Sequence, residues 1–412
     1  MSLSPDLKMI VHFKTYTMDN RKILIVGGGV AGPALAIQLI EQGAEVKVIE
    51  ARTEAEMNEG LFFGISPNGL NVLSSLVDIT RIYEEYVPGT LHFYNAKGRL
   101  IAELDASYQK EAYGISSIQV KRSAINDLLH EKLASLGAPV EYGCKLQAIE
   151  YAGTKIEVET SKGRLTGYDL LVGADGIHSL CRRLVFPGAP KPTFTKMLST
   201  GAIAKIPGWK TPSQAVEMTF GMRAFFGFSI TNTEKVWWFN NYDWDQEPDR
   251  RVLYDPSMQQ RIKQELLELH KNDHPKISEV ITASNDLFAY PIYDMPALEK
   301  WHTEKVCLIG DAAHAISPHT GQGASLALED SAVLAKCMAK YTNPRLAFSR
   351  FQQLRSDRVA KVIAQARKVG KAKSKPNPIA SFFRDIMLKY FINMEKKKMS
   401  WIYEYDVDKL EI

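Results

Sequence analysis

Residues 21–50 read RKILIVGGGVAGPALAIQLIEQGAEVKVIE: a short apolar run, a glycine-rich turn, an amphipathic stretch closed by Gly43 and a second apolar run. This order is typical of a βαβ unit, in which a helix joins two parallel strands. Further short apolar runs end in glycine at Gly173 and Gly310. The pattern therefore predicts an α/β fold.

The turn Gly27-Gly28-Gly29-Val30-Ala31-Gly32 fits G-x-G-x-x-G at the junction of the first strand and the helix. In this motif Gly27 permits the tight turn, Gly29 lets the backbone approach a pyrophosphate, and Gly32 lets helix and strand pack closely. The helix N-terminus adds free N–H groups and a positive dipole end. The motif predicts a Rossmann-type dinucleotide site.

Glu50 ends the second strand, where a carboxylate can accept hydrogen bonds from the adenosine ribose. The same charge would repel the 2′-phosphate of NADP, so FAD or NAD is the expected ligand. The alternative is a glycine-rich turn followed by a surface glutamate.

Residues 169–182 read DLLVGADGIHSLCR. A buried strand would deliver Asp175 and Gly176 to the carboxyl edge of the sheet, where open α/β sheets bind ligands. Arg182 could offer its guanidinium to a phosphate or carboxylate. The alternative is an Asp-Gly turn with a surface arginine.

A third motif, VCLIGDAAH, begins at Val306, and residues 321–324 then open a helix. Asp311 follows a strand and is suited to hydrogen-bond a polyol chain. The helix N-terminus can stabilise negative charge on a bound ring. His314 and His319 receive no role, because a histidine in such a turn is more often structural.

The chain has 412 residues with 51 basic and 47 acidic side chains, a net charge of +4. This length allows several domains, and the small charge does not indicate a nucleic-acid partner. The four cysteines form no C-x-x-C pair, so neither a metal site nor a redox dithiol is expected. Without a leader or a long apolar segment, we expect a cytoplasmic protein. Residues 1–20 are expected to form a loose arm, and Met18 is an alternative natural start.

Taken in order, GGGVAG with Glu50, DLLVGADGIHSLCR and VCLIGDAAHAISPHTGQGASLALED resemble the class A flavoprotein monooxygenases, the para-hydroxybenzoate hydroxylase-like family. The similarity runs from about Arg21 to about Ala339. It implies an FAD-dependent monooxygenase, with NADH or NADPH as a transient reductant. Dioxygen would react with the reduced flavin to give a flavin hydroperoxide, which would hydroxylate a small aromatic or polycyclic substrate.

Three alternatives stay open: a tetracycline-type inactivating activity, a reductase or dehydrogenase on the same fold that inserts no oxygen, and a flavin-binding sensor. No second G-x-G-x-x-G occurs, so NAD(P)H is not expected to have a Rossmann domain of its own. The resemblance places fourteen residues at the FAD: Gly27, Gly29, Val30, Ala31, Gly32, Glu50, Arg52, Arg122, Asp175, Asp311, Pro318, Gly321, Gly323 and Ala324. Ser325 stands where many members have asparagine, so one polar contact to the flavin is expected to be altered.

The motif order predicts two interleaved modules. The FAD-binding module takes residues 21–75, 101–190 and 301–340, and a β-sheet substrate module takes residues 76–100 and 191–300. Residues 341–412 form a C-terminal helical region. We expect a monomer or homodimer.

Alternating aromatic residues between 216 and 242 predict strands that could form a substrate wall. Arg223 and Phe225 are the predicted substrate-binding residues, with Arg223 available for an anionic group. The alternative is that these residues alternate into the sheet core. No general base or other catalytic residue can be assigned.

The C-terminal region carries an apolar helical face formed by Ile379, Phe382, Phe383, Ile386, Met387, Tyr390, Phe391 and Met394. We expect this face to pack on the two modules. Membrane binding is the alternative, because the basic segment EKKKMSW follows.

Overall fold

The computed structural model describes Met18 and residues 20–57, 62–86, 90–105, 107–213, 215–372 and 400–412. The strands are β1 Lys22–Val26, β2 Glu45–Ile49, β3 Phe62–Ile65, β4 Leu91–Asn95, β5 Leu100–Leu104, β6 Ile118–Lys121, β7 Leu146–Ala152, β8 Lys155–Thr160, β9 Gly163–Tyr168, β10 Leu170–Gly173, β11 Thr193–Ala204, β12 Val216–Phe220, β13 Phe225–Ile230, β14 Val236–Asp243, β15 Phe288–Asp294 and β16 Val306–Leu308. The α-helices are α1 Ala31–Glu41, α2 Glu54–Met57, α3 Pro67–Leu76, α4 Thr80–Glu85, α5 Ser107–Tyr113, α6 Arg122–Ser135, α7 Leu180–Val185, α8 Pro256–His270, α9 Pro275–Ala283, α10 Asp311–His314, α11 Gly323–Lys340 and α12 Pro344–Ala372.

A four-stranded sheet in the order β16-β10-β1-β2 forms the centre of the first module. All its strands are parallel, and their side chains are almost entirely buried because helices cover them. Parallel strands place their carboxyl ends at one edge, so the turns after β1, β10 and β16 meet there. The edge therefore brings together Gly27, Asp175 and Asp311, which are far apart in the sequence.

The second module is a seven-stranded sheet in the order β15-β11-β14-β13-β12-β4-β5. Strands β4 and β5 come from residues 91–104, while the other five lie between residues 193 and 294. The sheet is therefore built from separated segments, and the predicted α/β architecture with an interleaved β-sheet module is confirmed. Strand β5 runs across the predicted segment boundary at residue 100.

The two faces of the seven-stranded sheet have different neighbours. Helices α8 and α9 cover one face, with Phe226 and Trp238 in a buried cluster that includes residues of both helices. The opposite face meets the first module, where Phe62 of β3 stacks on Trp237 with ring centroids 4.6 Å apart. This second face borders a cleft between the modules.

Several local predictions can be compared directly with the structure. Helix α6 begins at Arg122 directly after β6, with Lys121 at its N-cap position. All four cysteines are buried free thiols. Helix α12, Pro344–Ala372, belongs to the predicted C-terminal helical region. The predicted apolar face of residues 379–394 lies outside the described residues. Of the helices that the structure does describe, none combines the length and apolar character needed to cross a membrane.

A buried ionic cluster joins α11 to α12. Glu329 and Asp330 of α11 are fully buried and face Arg355, whose Nη1 lies 2.6 Å from Glu329 Oε2 and whose Nε donates to Asp330 Oδ1 at 2.7 Å. Arg358 adds a second cation, with Nη2 2.6 Å from Glu329 Oε1. His314 Nε2 donates to Asp330 Oδ2 at 2.6 Å. The charges of the two carboxylates and the two guanidinium groups thus balance each other in the protein interior.

Removing one partner should expose the cost of this burial. Arg355→Met leaves two carboxylates short of a cation, and we expect the free energy of unfolding to fall by about 3–5 kcal/mol. Arg345→Met is the matched control, since Arg345 forms a surface pair with Glu304 at 3.1 Å and such pairs contribute about 0–1 kcal/mol. Urea unfolding of both variants measures the difference, and equal losses would contradict the assigned role of the cluster.

The same cluster should make stability depend on pH in the acid range. Burial alone would raise the pKa of Asp330, but the interactions with His314 and Arg355 outweigh it and lower the pKa to about 2 from the usual 3.8. Asp330 therefore contributes stability fully above about pH 4, and this contribution is lost as the pH falls toward 2, an effect on the order of 2 kcal/mol. We expect the stability difference between wild type and Asp330→Asn to shrink between pH 5 and pH 2. A difference that stays constant over this range would refute the assignment.

Candidate functional site

The glycine turn between β1 and α1 is packed on one side and open on the other. Gly27 has φ +121°, and a Cβ there would lie 2.2 Å from the Ala174 carbonyl oxygen. A Cβ on Gly32 would lie 2.0 Å from the Gly27 oxygen, so neither position admits a side chain. At Gly29, by contrast, no atom lies within 4 Å of the Cβ position. The backbone at Gly29 is therefore accessible to a ligand.

Helix α1 follows this turn without a side-chain cap. Val30 occupies the N-cap position and accepts no bond through its side chain, and the first turn contains no acidic residue. The first N–H groups of a helix lack intrahelical partners, and the dipole is positive there. Residues 29–32 thus present donors suited to an anionic group such as a pyrophosphate.

Glu50 is fixed against the same turn. Its Oε2 accepts a hydrogen bond from Gly28 N at 2.7 Å, and its Oε1 accepts from Arg52 N at 3.0 Å and Arg52 Nε at 3.2 Å. The residue is buried, with 7% of its surface exposed. Glu50 is therefore not the surface glutamate of the alternative interpretation, and Arg52 lies beside it.

His130 supports the turn from α6. Its Nε2 donates to the Gly28 carbonyl oxygen at 2.7 Å, which requires a proton on that nitrogen, and its Nδ1 accepts from the Tyr142 hydroxyl at 2.6 Å. Burial lowers the pKa of His130, which favours this neutral form. The sequence analysis missed both residues, because no local pattern relates them to the glycine turn.

Asp175 caps helix α7. Its carboxylate accepts hydrogen bonds from the Ser179 hydroxyl and from the backbone N–H groups of Leu180 and Cys181. A role of this residue toward a dinucleotide would have to share these oxygens with the helix. Gly176 beside it has φ +77° and no atom within 4 Å of a Cβ position.

Arg182 does not point to solvent, and its expected role as a free phosphate or carboxylate fork is wrong. The side chain is buried, and its guanidinium donates to the carbonyl oxygens of Ala312 at 2.8 Å and Ile177 at 2.5 Å. Both of its Nη atoms thus donate to backbone carbonyl oxygens, while its Nε is buried without a partner among the described residues. The consequence is that Arg182 ties the turn after β10 to the turn after β16.

Three ionisable side chains from both modules meet in the cleft. Burial lowers the pKa of Arg122, as does Arg52, while Asp311, Tyr290 and Glu50 act in the opposite direction. Burial raises the pKa of Asp311, and Arg122 opposes that shift. Arg122 and Tyr290 nevertheless keep accessible surface, 37% for Tyr290, because they line the cleft. Tyr290 on β15 was not predicted, since only the sheet register brings it here.

The loop before α11 lies next to strand β3. Pro318–Thr320 forms a 3-10 turn, and Gly321 follows in the left-handed region at φ +63°. A Cβ on Gly321 would lie 3.9 Å from the Gly64 Cα. Gly323 and Ala324 then begin α11, whose N-cap residue Gln322 makes no side-chain cap. This helix end also has unpaired N–H groups to offer.

Ser325 and His314 are committed to the protein itself. The Ser325 hydroxyl accepts a hydrogen bond from Ser66 N at 3.1 Å, so it holds α11 against the start of α3. His314 is buried and bonded to Asp330. The second observation agrees with the structural interpretation of His314.

The cleft face of the seven-stranded sheet consists of three rows of side chains across neighbouring strands. The first row is Tyr290, Ser199, Asn241, Phe225, Phe220 and Asn95. The second is Phe288, Gly201, Phe239, Gly227, Met218 and Phe93, and the third includes Ile203, Trp237 and Ser229. A Cβ on Gly227 would lie 2.5 Å from a Phe239 ring carbon, so this glycine makes room for the ring. The rows form an aromatic wall.

Phe225 belongs to this wall, but Arg223 does not. Arg223 lies in the turn between β12 and β13, with a side chain 57% exposed and 3.9 Å from Glu268 on α8. Helix α8 covers the face of the sheet opposite to the cleft, so the structure separates Arg223 from the other predicted site residues. The predicted FAD residues of the glycine turn, together with Glu50, Arg52, Arg122 and Asp311, are brought to one cleft.

The comparisons with known proteins agree with this geometry. The family described as "FAD binding domain" matches residues 20–366. The aurachin C monooxygenase/isomerase of Stigmatella aurantiaca is 26% identical and covers 89% of this chain and 93% of its own length. The 6-hydroxynicotinate 3-monooxygenase of Pseudomonas fluorescens is 27% identical over 83% of this chain and 89% of its own.

A solved structure has the same fold. The complex of Klebsiella pneumoniae HpxO with FAD and uric acid superposes with a TM-score of 0.78 at 20% identity, and covers 92% of this chain and 96% of that one. The predicted resemblance to the class A flavoprotein monooxygenases is thereby confirmed. The chain belongs to the FAD-binding domain family, whose fold it carries from residue 20 to residue 366.

Proposed function

We propose that this enzyme is an FAD-dependent monooxygenase that uses NADH or NADPH and dioxygen to hydroxylate a small aromatic or polycyclic compound. The observation that carries the proposal is the cleft: Arg122 on one wall interacts electrostatically with Asp311 and with Tyr290, and Tyr290 lies in the same row of the aromatic wall as Phe225. One wall suits a charged dinucleotide, and the other suits a planar organic molecule. A tetracycline-type substrate falls within the polycyclic class.

The first wall would hold the cofactor. Residues 29–32 would take the pyrophosphate, Glu50 the ribose hydroxyls and Arg122 a phosphate, while Asp311 would bind the ribityl chain. The α11 N-terminus at residues 321–324 would face the ring, and its dipole favours negative charge there. When bound, FAD supplies two-electron chemistry with a nicotinamide and the activation of dioxygen.

The second wall would orient the substrate and exclude water. Burial raises the pKa of Tyr290, although the hydrogen bond with Ser199 and the charge of Arg122 oppose the shift. Tyr290 therefore keeps its proton at neutral pH and acts as a hydrogen-bonding group, not as a base. Its hydroxyl can hold a polar substituent of the substrate next to the ring to be hydroxylated.

The reductant would dock transiently, since the sequence contains one G-x-G-x-x-G motif and FAD would occupy it. The four buried free thiols fit a reducing compartment, which supports a cytoplasmic location. A reductase on the same fold would use the same FAD site, so oxygen insertion is the distinguishing property.

Turnover under ¹⁸O₂ tests the activity. The purified, FAD-loaded protein is supplied with NADH or NADPH and a panel of phenols and polycyclic compounds, and ligand-stimulated NAD(P)H oxidation identifies substrates. We expect the product mass to increase by one ¹⁸O atom. Substrate conversion without label would identify a reductase or dehydrogenase instead. Bound FAD that neither nicotinamide reduces, with ligand present, would identify a sensor.

A substitution in the glycine turn can change FAD affinity without changing the stability of the fold. Gly29→Ala adds a methyl group where no atom lies within 4 Å, so stability should change little. The same methyl group would obstruct the pyrophosphate, and we expect FAD to bind about ten- to a hundredfold more weakly, the range that loss of charge-assisted hydrogen bonds produces. Flavin fluorescence during FAD titration of the apoprotein measures this affinity.

Two variants serve as controls for Gly29→Ala. Gly32→Ala should destabilise the fold itself, because its Cβ would collide with the Gly27 oxygen at 2.0 Å. Arg223→Ala should retain both stability and FAD affinity, since its exposed side chain lies on the helix-covered side of the sheet. Unchanged FAD affinity in Gly29→Ala would remove this turn from the cofactor site.

A further inference from the structure

Tyr290, Ser199 and Asn241 form a continuous polar strip in the aromatic wall. Ser199 of β11 lies opposite Tyr290 of β15 on one side and opposite Asn241 of β14 on the other. Residues opposite each other in an antiparallel pair have Cβ atoms about 4.5–5.5 Å apart. The register thus places the side chains of Tyr290 and Ser199 next to each other on the cleft face. The strip therefore spans three strands without interruption.

Asn241 has unused hydrogen-bonding capacity. Its Oδ1 is buried and has no hydrogen-bond partner in the part of the chain that the structure describes, and Phe225 follows it in the same row. A buried amide oxygen without a donor is costly, so native structures almost always pair such atoms with protein, water or ligand. Reorientation of this amide toward a bound molecule would pair the oxygen with a hydroxyl or ring N–H group.

The three rows of the wall contain no lysine, arginine, histidine, aspartate or glutamate among their strand residues. Arg223 is directed to Glu268 and does not supply a cation to the wall. Arg122 lies on the opposite wall and interacts with Arg52, Asp311, Tyr290 and Glu50, and the proposed function assigns its charge to an FAD phosphate. A carboxylate pressed against the aromatic rings would lose its hydration without gaining a countercharge, which is strongly unfavourable.

We propose, on the basis of the proposed function, that the substrate is an uncharged planar aromatic molecule with a hydroxyl or ring N–H donor. The ring would lie against Phe225 and Phe239, and the donor would bind the strip of Tyr290, Ser199 and Asn241. Asn241 determines specificity, because its buried Oδ1 has no hydrogen-bond partner among the described residues. Benzoate-type substrates are disfavoured because the strand residues of the three rows include no cation.

Equilibrium binding to the oxidised, FAD-loaded protein tests this inference without turnover. Three probes share one ring system: 2-naphthol carries a donor, naphthalene carries none, and 6-hydroxy-2-naphthoate carries a donor and a charge. Perturbation of the flavin absorbance reports binding. We expect 2-naphthol to bind at least tenfold more tightly than 6-hydroxy-2-naphthoate and more tightly than naphthalene.

Variants of the strip residues test whether the strip causes the difference in affinity between the probes. Asn241→Leu should weaken 2-naphthol binding about tenfold and leave naphthalene unaffected, a pattern that general damage to the fold would not produce. Ser199→Ala, a smaller change, should act in the same direction. Arg223→Ala should leave all three affinities unchanged.

Four outcomes would overturn the inference: carboxylate binding as tight as that of 2-naphthol, unchanged 2-naphthol affinity in both strip variants, a carboxylate affinity that Arg223→Ala abolishes, or no perturbation by any probe. The proposed function is tested by a separate outcome. If neutral probes bind with the expected discrimination but no compound acquires ¹⁸O, the substrate class stands and the monooxygenase does not.

Discussion

The buried pairing of Glu329 and Asp330 with Arg355 and Arg358 holds the cofactor side of the molecule in place. Asp330 Oδ2 accepts from Gly310 N at 2.8 Å as well as from His314, so it fixes both ends of the turn that carries Asp311. Glu329 Oε1 accepts from Asn68 Nδ2 at 2.6 Å and so reaches α3. Because these carboxylates have no access to water, they can keep their charge only while the arginines stay in position. The local geometry around Asp311 thus depends on helix α12.

The cluster also extends to the end of the chain. Arg358 Nη2 donates to the Ile402 carbonyl oxygen at 2.8 Å, and its guanidinium lies 3.7 Å from the centre of the Tyr405 ring. Residues 400–412 therefore pack on the same charges that shape the turn after β16. Ionic contacts thus hold the elements of the wall with Arg122 and Asp311 together, whereas the aromatic wall is held by the packing of its rings. The cleft places these two kinds of surface face to face.

The parts of the site that sequence reasoning could find are those in which function depends on neighbours along the chain. A glycine turn, its helix and Glu50 lie within thirty residues, so their spacing alone predicted the dinucleotide site and the α/β fold. The partners of Arg182 could not be predicted, since Ala312 is 130 positions away. Likewise Tyr290, Ser199 and Asn241 become neighbours only through the register of β15, β11 and β14. Arg223 lies outside the sheet core, but the turn between β12 and β13 directs its side chain to α8 and not to the cleft.

The interleaved order of the segments has a mechanical consequence. The chain passes between the modules at β3 to β4, β5 to β6, β10 to β11 and β15 to β16, four covalent connections in all. Hinge motion is favoured when few chain segments connect the moving parts. Several connections spread along an interface favour small sliding displacements instead. We therefore expect the two walls to move relative to each other by small sliding shifts, with access to the cleft through loops and side chains at its rim.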